Sequence, residues 1–170
     1  MDLKKYIADV PDFPVEGILF RDITPLLADG EAFKEAINQL SDFAKSVNAD
    51  VICGPESRGF IFGCPVAADM NIGFIPIRKP NKLPREQVTA SYDLEYGSNV
   101  LCMHKDAIKL GQRVVIVDDL LATGGTMKAA IQLIESLGGI VVGVAFVIEL
   151  EDLQGKKNFE GYNLFTILKY

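Results

Sequence analysis

The chain has 170 residues, 49% of them hydrophobic, and a formal net charge of −6 at pH 7. That length fits one domain with a sizeable core. The acidic balance argues against a dedicated nucleic-acid binder. Met1-Asp2-Leu3-Lys4-Lys5-Tyr6 lacks the apolar stretch of a secretory signal, and the longest apolar run, Ile140 to Ile148, is too short for a membrane span. Cys53, Cys64 and Cys102 show no metal-ligand spacing, so they are expected to be reduced, buried thiols of a cytoplasmic protein. His104 has no Cys or His neighbour to share a metal and is expected at the surface near a strand end.

In chain order, Pro11, Pro14, Gly17 and Pro25 interrupt the first thirty residues and suggest an irregular cap over a sheet edge. From Glu31 to Asn48 the residues Phe33, Ala36, Ile37, Leu40, Ala44 and Val47 fall on one helical stripe. A short strand over Asp50–Gly54, a helix from about Gly59 to Met70 and a strand over Phe74–Ile77 follow. Residues 78–86 are basic and broken by prolines. Val88 to Gly97 alternates, with Thr89, Ser91 and Asp93 on one face, as in a hairpin arm. Val114–Val117 reads as a strand buried on both faces. After it come a helix from about Thr126 to Leu137, stopped by Gly138-Gly139, then strands over Ile140–Ile148 and Tyr162–Leu168. This alternation predicts a single α/β domain over 1–170, with a mostly parallel sheet, flanking helices and right-handed crossovers. The cap covers about residues 1–30 and a mobile arm about 80–97.

The chemistry concentrates where the Val114–Val117 run meets Asp118 and Asp119, followed by Leu120-Leu121-Ala122-Thr123-Gly124-Gly125-Thr126. Ligands of open α/β sheets gather at the carboxyl ends of strands. The glycines free backbone N–H groups at a helix start, which makes an anion cradle. A carboxylate pair beside such a cradle suits a ligand that carries both an anionic end and hydroxyls, as a ribose 5-phosphate does. The chain has neither a Gly-x-x-x-x-Gly-Lys-Ser/Thr loop nor a Gly-x-Gly-x-x-Gly turn, which argues against nucleoside triphosphate and dinucleotide folds. Pro55-Glu56-Ser57-Arg58-Gly59 ends another apolar strand and belongs on the same edge. There Arg58 can fork onto a phosphate. The basic stretch can bring Lys and Arg over a second anion and exclude water from a reactive ribosyl centre.

Five segments in order carry a resemblance: residues 20–26 (Phe-Arg-Asp-Ile-Thr-Pro-Leu), 55–60, 77–84, 90–97 and 117–126. Together they resemble the adenine-specific branch of the type I phosphoribosyltransferases, a family that moves phosphoribose from 5-phosphoribosyl 1-pyrophosphate to N9 of adenine with Mg²⁺. The resemblance implies that main-chain groups at Leu19 and Arg21 read adenine, that Phe20 packs on the ring and that Leu150 lines its other side. Ala122, Thr123, Gly124, Gly125 and Thr126 would hold the 5′-phosphate, and Asp118 and Asp119 the ribose hydroxyls. Glu56, Ser57 and Arg58 form the pyrophosphate loop, in which the Glu56–Ser57 peptide is commonly cis in the family. Lys79 and Tyr96 are expected among the substrate contacts. Arg78 and Lys82 would reach the neighbouring site of a homodimer, and Glu95 would serve as general acid–base beside Arg58. Mg²⁺ is expected mainly on substrate oxygens and water near the two aspartates, without a protein cage. Residues 153–159 depart from the family's Leu-x-Gly-Arg-x-Lys-Leu, so local packing is expected to differ there. A transferase for another base is disfavoured by Leu19–Pro25 and the Glu95 arm. A non-catalytic sensor of the same sugar phosphate would need a basic face that this chain lacks.

Overall fold

In the computed structural model, residues 1–93 and 97–170 are described. The amino-terminal segment is more regular than its prolines predicted. Strands β1 (Ala8–Pro11) and β2 (Leu19–Asp22) pair as an antiparallel hairpin, and a short helix α1 (Thr24–Ala28) follows. The prolines fall where they cost least. Pro11 closes β1, and Pro25 occupies the first turn of α1, where an N–H would lack a helical partner. Helix α2 (Gly30–Ser46) starts on an Asp29 side-chain cap and buries Ala36, Ile37, Leu40 and Ala44 from the predicted stripe.

Five strands form the central parallel sheet: β3 (Val51–Pro55), β4 (Gly73–Ile77), β7 (Arg113–Leu121), β8 (Ile140–Glu149) and β9 (Leu164–Lys169), in the order β4-β3-β7-β8-β9. Helix α3 (Arg58–Met70) links β3 to β4, and α4 (Gly125–Ser136) links β7 to β8. Alternation along each strand sends Ile52, Val115, Val117, Ala145 and Val147 to the face covered by α2, α3 and the cap. Val51, Cys53, Val114, Ile116 and Val144 point to the face covered by α4. Strands β5 (Gln87–Asp93) and β6 (Ser98–His104) form a separate antiparallel hairpin on that second face. Paired main-chain bonds between Arg78 and Cys102, 2.8 and 2.7 Å, tie it to the end of β4.

Three differences from the sequence reading bear on the site. Strand β7 runs on to Leu121, so Asp118 and Asp119 lie within it instead of just past its end. The reason is lopsided pairing: β3 leaves β7 after Ile116, but β8 stays paired through Leu121. Strand β6 was not anticipated, although its Leu101-Cys102-Met103 run is fully buried. Third, Cys64 is exposed on α3, unlike Cys53 and Cys102, and His104 is half-buried, with Nε2 enclosed and unpartnered.

The sheet order reverses direction between β3 and β7, because β4 lies on one side and β8 and β9 on the other. Crevices open at the carboxyl end of such a switch point. Here the start of α3 enters the gap, and glycine makes the entry possible. A Cβ on Gly54 would stand 2.9 Å from the Gly59 carbonyl oxygen and 3.1 Å from that of Val117.

Candidate active site

The crevice is built from both sides of that gap. From β7 come Asp118 and Asp119; from the start of α3 comes Arg58, whose Nε lies 3.0 Å from Asp119 Oδ2. Asp119 is only 6% exposed, so its charge is largely withdrawn from water and the guanidinium is its counterion. The main-chain N–H of Asp119 donates to Asp118 Oδ1 at 2.9 Å. Burial, and then the charge of Asp119 alongside, hold the Asp118 carboxyl well above the usual carboxylate range. A substrate that brings hydroxyl donors or positive charge would ease both constraints.

Behind the aspartates the chain turns through Ala122–Thr126 into α4. Gly124 caps this helix with φ +91, a left-handed conformation that glycine adopts without penalty. The loop and the aspartates line a cavity of about 200 Å³, at the N-terminal, positive end of the helix dipole. Nδ2 of Asn158 donates to the Thr123 carbonyl at 2.7 Å from outside the loop.

A second cavity, about 630 Å³, adjoins the first through Arg58, Asp118, Asp119 and Thr126. Its walls include Glu56, Ser57 and Lys79, with Tyr92, Ser98 and Asn99 from the β5–β6 hairpin. The Glu56–Ser57 peptide is cis. Glu56 accepts from the Lys79 main-chain N–H at 2.6 Å and from Arg78 Nε at 3.3 Å. The first of these bonds, aided by Arg78, holds its carboxyl below the usual range. Glu56 therefore fastens the start of the basic stretch to the loop before α3.

A third cavity, about 490 Å³, lies under the cap. It is mostly apolar, with Val10, Phe13, Phe20, Ile23, Leu27 and Ile61 in its walls, and Arg58 again contributes. Phe20 meets Phe13 edge-on, ring centroids 5.2 Å apart. Arg58 thus borders all three spaces.

The structure brings together Phe20, Glu56, Ser57, Arg58, Lys79, Asp118, Asp119 and Ala122–Thr126 around these connected spaces. Other expected residues stand apart from the cavity walls. Leu19 is exposed on the opposite side of β2 from Phe20. The Arg21 guanidinium pairs with Asp9 and stacks 4.1 Å over the Tyr170 ring. Leu150 is half-buried against the edge of the core and donates its N–H to the Leu121 carbonyl at 3.0 Å. Arg78 is held by Glu56, and Lys82 is exposed. Glu95 and Tyr96 lie outside the described residues. The sequence reading missed Phe13, Tyr92, Ser98, Asn99 and Asn158. Tyr92 and Asn158 left a trace, the one in the 90–97 segment and the other in the unusual 153–159 segment. No three His, Cys, Asp or Glu side chains gather as a metal cage among the described residues. The two aspartates are hard oxygen donors on the cavity walls, and that fits a divalent cation carried mainly by phosphate and hydroxyl oxygens. No helix is long and apolar enough to cross a membrane among the described residues.

A glycine-rich anion cradle and a carboxylate pair on a switched parallel sheet define a class, and residues 25–169 match the phosphoribosyl transferase domain family. The chain is 64% identical, over all its 170 residues and 97% of the relative, to the adenine phosphoribosyltransferase of Lactobacillus delbrueckii subsp. bulgaricus. It is 61% identical over the same spans to that of Lactobacillus johnsonii. The adenine phosphoribosyltransferase of Thermoanaerobacter pseudethanolicus superposes with a TM-score of 0.95 at 50% identity, covering 99% of this chain and 98% of that one. The Saccharomyces cerevisiae enzyme, complexed with an imino-altritol bisphosphate and adenine, gives 0.91 at 40% identity over 98% and 96%. The chain belongs to the adenine phosphoribosyltransferase family.

Proposed function

We propose that this chain transfers the 5-phosphoribosyl group of 5-phosphoribosyl 1-pyrophosphate to N9 of adenine, giving AMP and pyrophosphate. One observation carries the reading: a phosphate cradle, a carboxylate pair and Arg58 converge on one crevice that adjoins an apolar cavity. The bond from ribose C1 to the pyrophosphate oxygen breaks, the bond from C1 to N9 forms, and the N9 proton leaves.

The N–H groups of Ala122–Thr126 hold the 5′-phosphate, and Asp118 and Asp119 accept from the ribose hydroxyls. Their charge also suits the cationic ribosyl centre that develops as pyrophosphate departs. Arg58, with the Glu56–Ser57 turn and Lys79, takes the pyrophosphate. When bound, Mg²⁺ supplies positive charge to the departing phosphate oxygens. Adenine lies against Phe20, its 6-amino edge read by main-chain groups of Leu19 and Arg21, with Leu150 beside it. Paired donors and acceptors reject a 6-oxo purine because buried polar groups would go unmatched, a penalty that can reach about 10⁴–10⁵ in specificity.

Glu95 manages the proton at N7 or N9, and Tyr96 belongs to the same arm, within about residues 80–97. The cap spans about residues 1–30. The working unit is a cytoplasmic homodimer in which Arg78 and Lys82 reach the neighbouring site.

The test is nucleotide formation from 5-phosphoribosyl 1-pyrophosphate and Mg²⁺ with adenine, hypoxanthine or guanine supplied separately. AMP from adenine alone supports the reading. IMP or GMP instead overturns the base assignment, and absence of any nucleotide while the sugar phosphate still binds overturns catalysis.

A further inference from the structure

Residues 155–159 form a short 3-10 segment that backs the phosphate loop from outside the crevice. Its packing is intimate. A Cβ on Gly124 would meet Asn158 Nδ2 at 3.0 Å, the Gly155 carbonyl oxygen at 3.1 Å and Phe159 Cζ at 3.2 Å. Phe159 is 2% exposed, and its ring lies 6.3 Å from that of Phe146, which lines the phosphate cavity from the other side. Within this wall a single side chain bonds to the loop itself: Asn158 Nδ2 donates to the Thr123 carbonyl at 2.7 Å.

Peptide geometry gives that bond a consequence. The Thr123–Gly124 peptide is trans, so its C=O and N–H point in opposite directions. Holding the carbonyl toward the 155–159 wall turns the Gly124 N–H away from the wall, into the cavity that Gly124 lines. If the peptide rotated, a carbonyl oxygen would face the anion in place of a donor. Gly124 makes such rotation easy, because glycine tolerates either sign of φ.

We infer that Asn158 is a positioning residue for the 5′-phosphate, fixing the Thr123–Gly124 peptide so that its N–H faces the ligand. The inference rests on the reading of Ala122–Thr126 as the phosphate loop. Asn158 lines none of the three cavities; it acts through the loop's main chain. An amide suits this task, because it can donate to a carbonyl without adding charge. An aspartate of the same shape could not donate, and it would set a negative charge behind the anion site.

The test is calorimetric binding of ribose 5-phosphate and, separately, of pyrophosphate with Mg²⁺, to the wild-type chain and to Asn158→Ala, Asn158→Asp and Asn158→Gln. Loss of one exposed hydrogen bond predicts ribose 5-phosphate binding weakened about three- to tenfold in Asn158→Ala, more in Asn158→Asp, and largely restored in Asn158→Gln. Pyrophosphate binding should stay within about twofold. In turnover, KM for 5-phosphoribosyl 1-pyrophosphate should rise while kcat and the adenine KM hold. Wild-type affinity for ribose 5-phosphate in Asn158→Ala and Asn158→Asp overturns the inference. So does an equal loss for both ligands, which marks a general structural defect. A wild-type chain that does not bind ribose 5-phosphate overturns the loop reading itself, and the inference with it.

Discussion

Arg58 Nε and Asp119 Oδ2 stand 3.0 Å apart, across the gap where β3 and β7 part company. The contact joins the first residue of a helix to a carboxylate inside a strand, and it sets a cation beside every cavity of the crevice.

Arg58→Ala is therefore expected to act twice. It strips the counterion from a carboxylate that is 6% exposed, at a cost of about 1–3 kcal/mol, or several degrees of Tm in a chain of this size. It should also weaken pyrophosphate binding more than ribose 5-phosphate binding. Thermal melts and paired titrations check both; an unchanged Tm would remove the ion pair from the stability account.

Asp118 gives a pH-dependent prediction. Its folded carboxyl titrates well above the ordinary value of 3.8, because of burial and then Asp119. Between those two values the native chain binds more protons than the unfolded chain, so stability falls as pH rises through that window. Asp118→Asn stays neutral throughout. Its Tm advantage over wild type should therefore grow as pH rises from about 4, even as loss of the carboxylate charge in the crevice lowers kcat. Melts of both proteins across that range decide the matter; an offset independent of pH would contradict it.

Gly59→Ala tests how tightly α3 fits the gap. The new Cβ would lie 2.8 Å from Pro55 Cδ, 3.0 Å from the Val117 carbonyl oxygen and 3.3 Å from Asp118 Oδ1. A ring locked into the backbone and a strand carbonyl cannot swing aside. The expected cost is about 1–3 kcal/mol, with kcat/KM reduced because Arg58 moves with the helix. Gly30→Ala is the control, since nothing lies within 4 Å of its added Cβ, and it should melt close to wild type.

Glu95→Gln addresses the proton. A positioned general acid–base contributes about 10²–10⁴-fold, so kcat should fall by that order while both KM values change little. Steady-state kinetics suffice, and an unaltered kcat would take Glu95 out of the mechanism.

The alternation of strands and helices was legible because apolar runs and one amphipathic stripe report burial directly. Asp118, Asp119 and the following turn were legible because their chemistry is local in sequence. Pairings made far along the chain were not. The extension of β7 to Leu121 depends on β8, and the docking of the β5–β6 hairpin onto the end of β4 depends on a bridge from Arg78 to Cys102. Asn158 reaches Thr123 only after β8 and its following turns have come back to the loop. Phe13 entered the apolar cavity unannounced, because the hairpin that presents it was obscured by prolines placed at its margins.

Strand β3 finds one of its two neighbours late. β4 follows after a single helix, but β7, which aligns Val114 with Val51, arrives only after the whole β5–β6 hairpin has been laid down. Closing so long a loop costs entropy before any contact rewards it, and such pairings slow folding. The gap between β3 and β7 is thus a kinetic seam as well as a crevice. A ligand that bridges it should favour the completed fold by mass action, protecting newly made chains from proteolysis when sugar phosphate is plentiful.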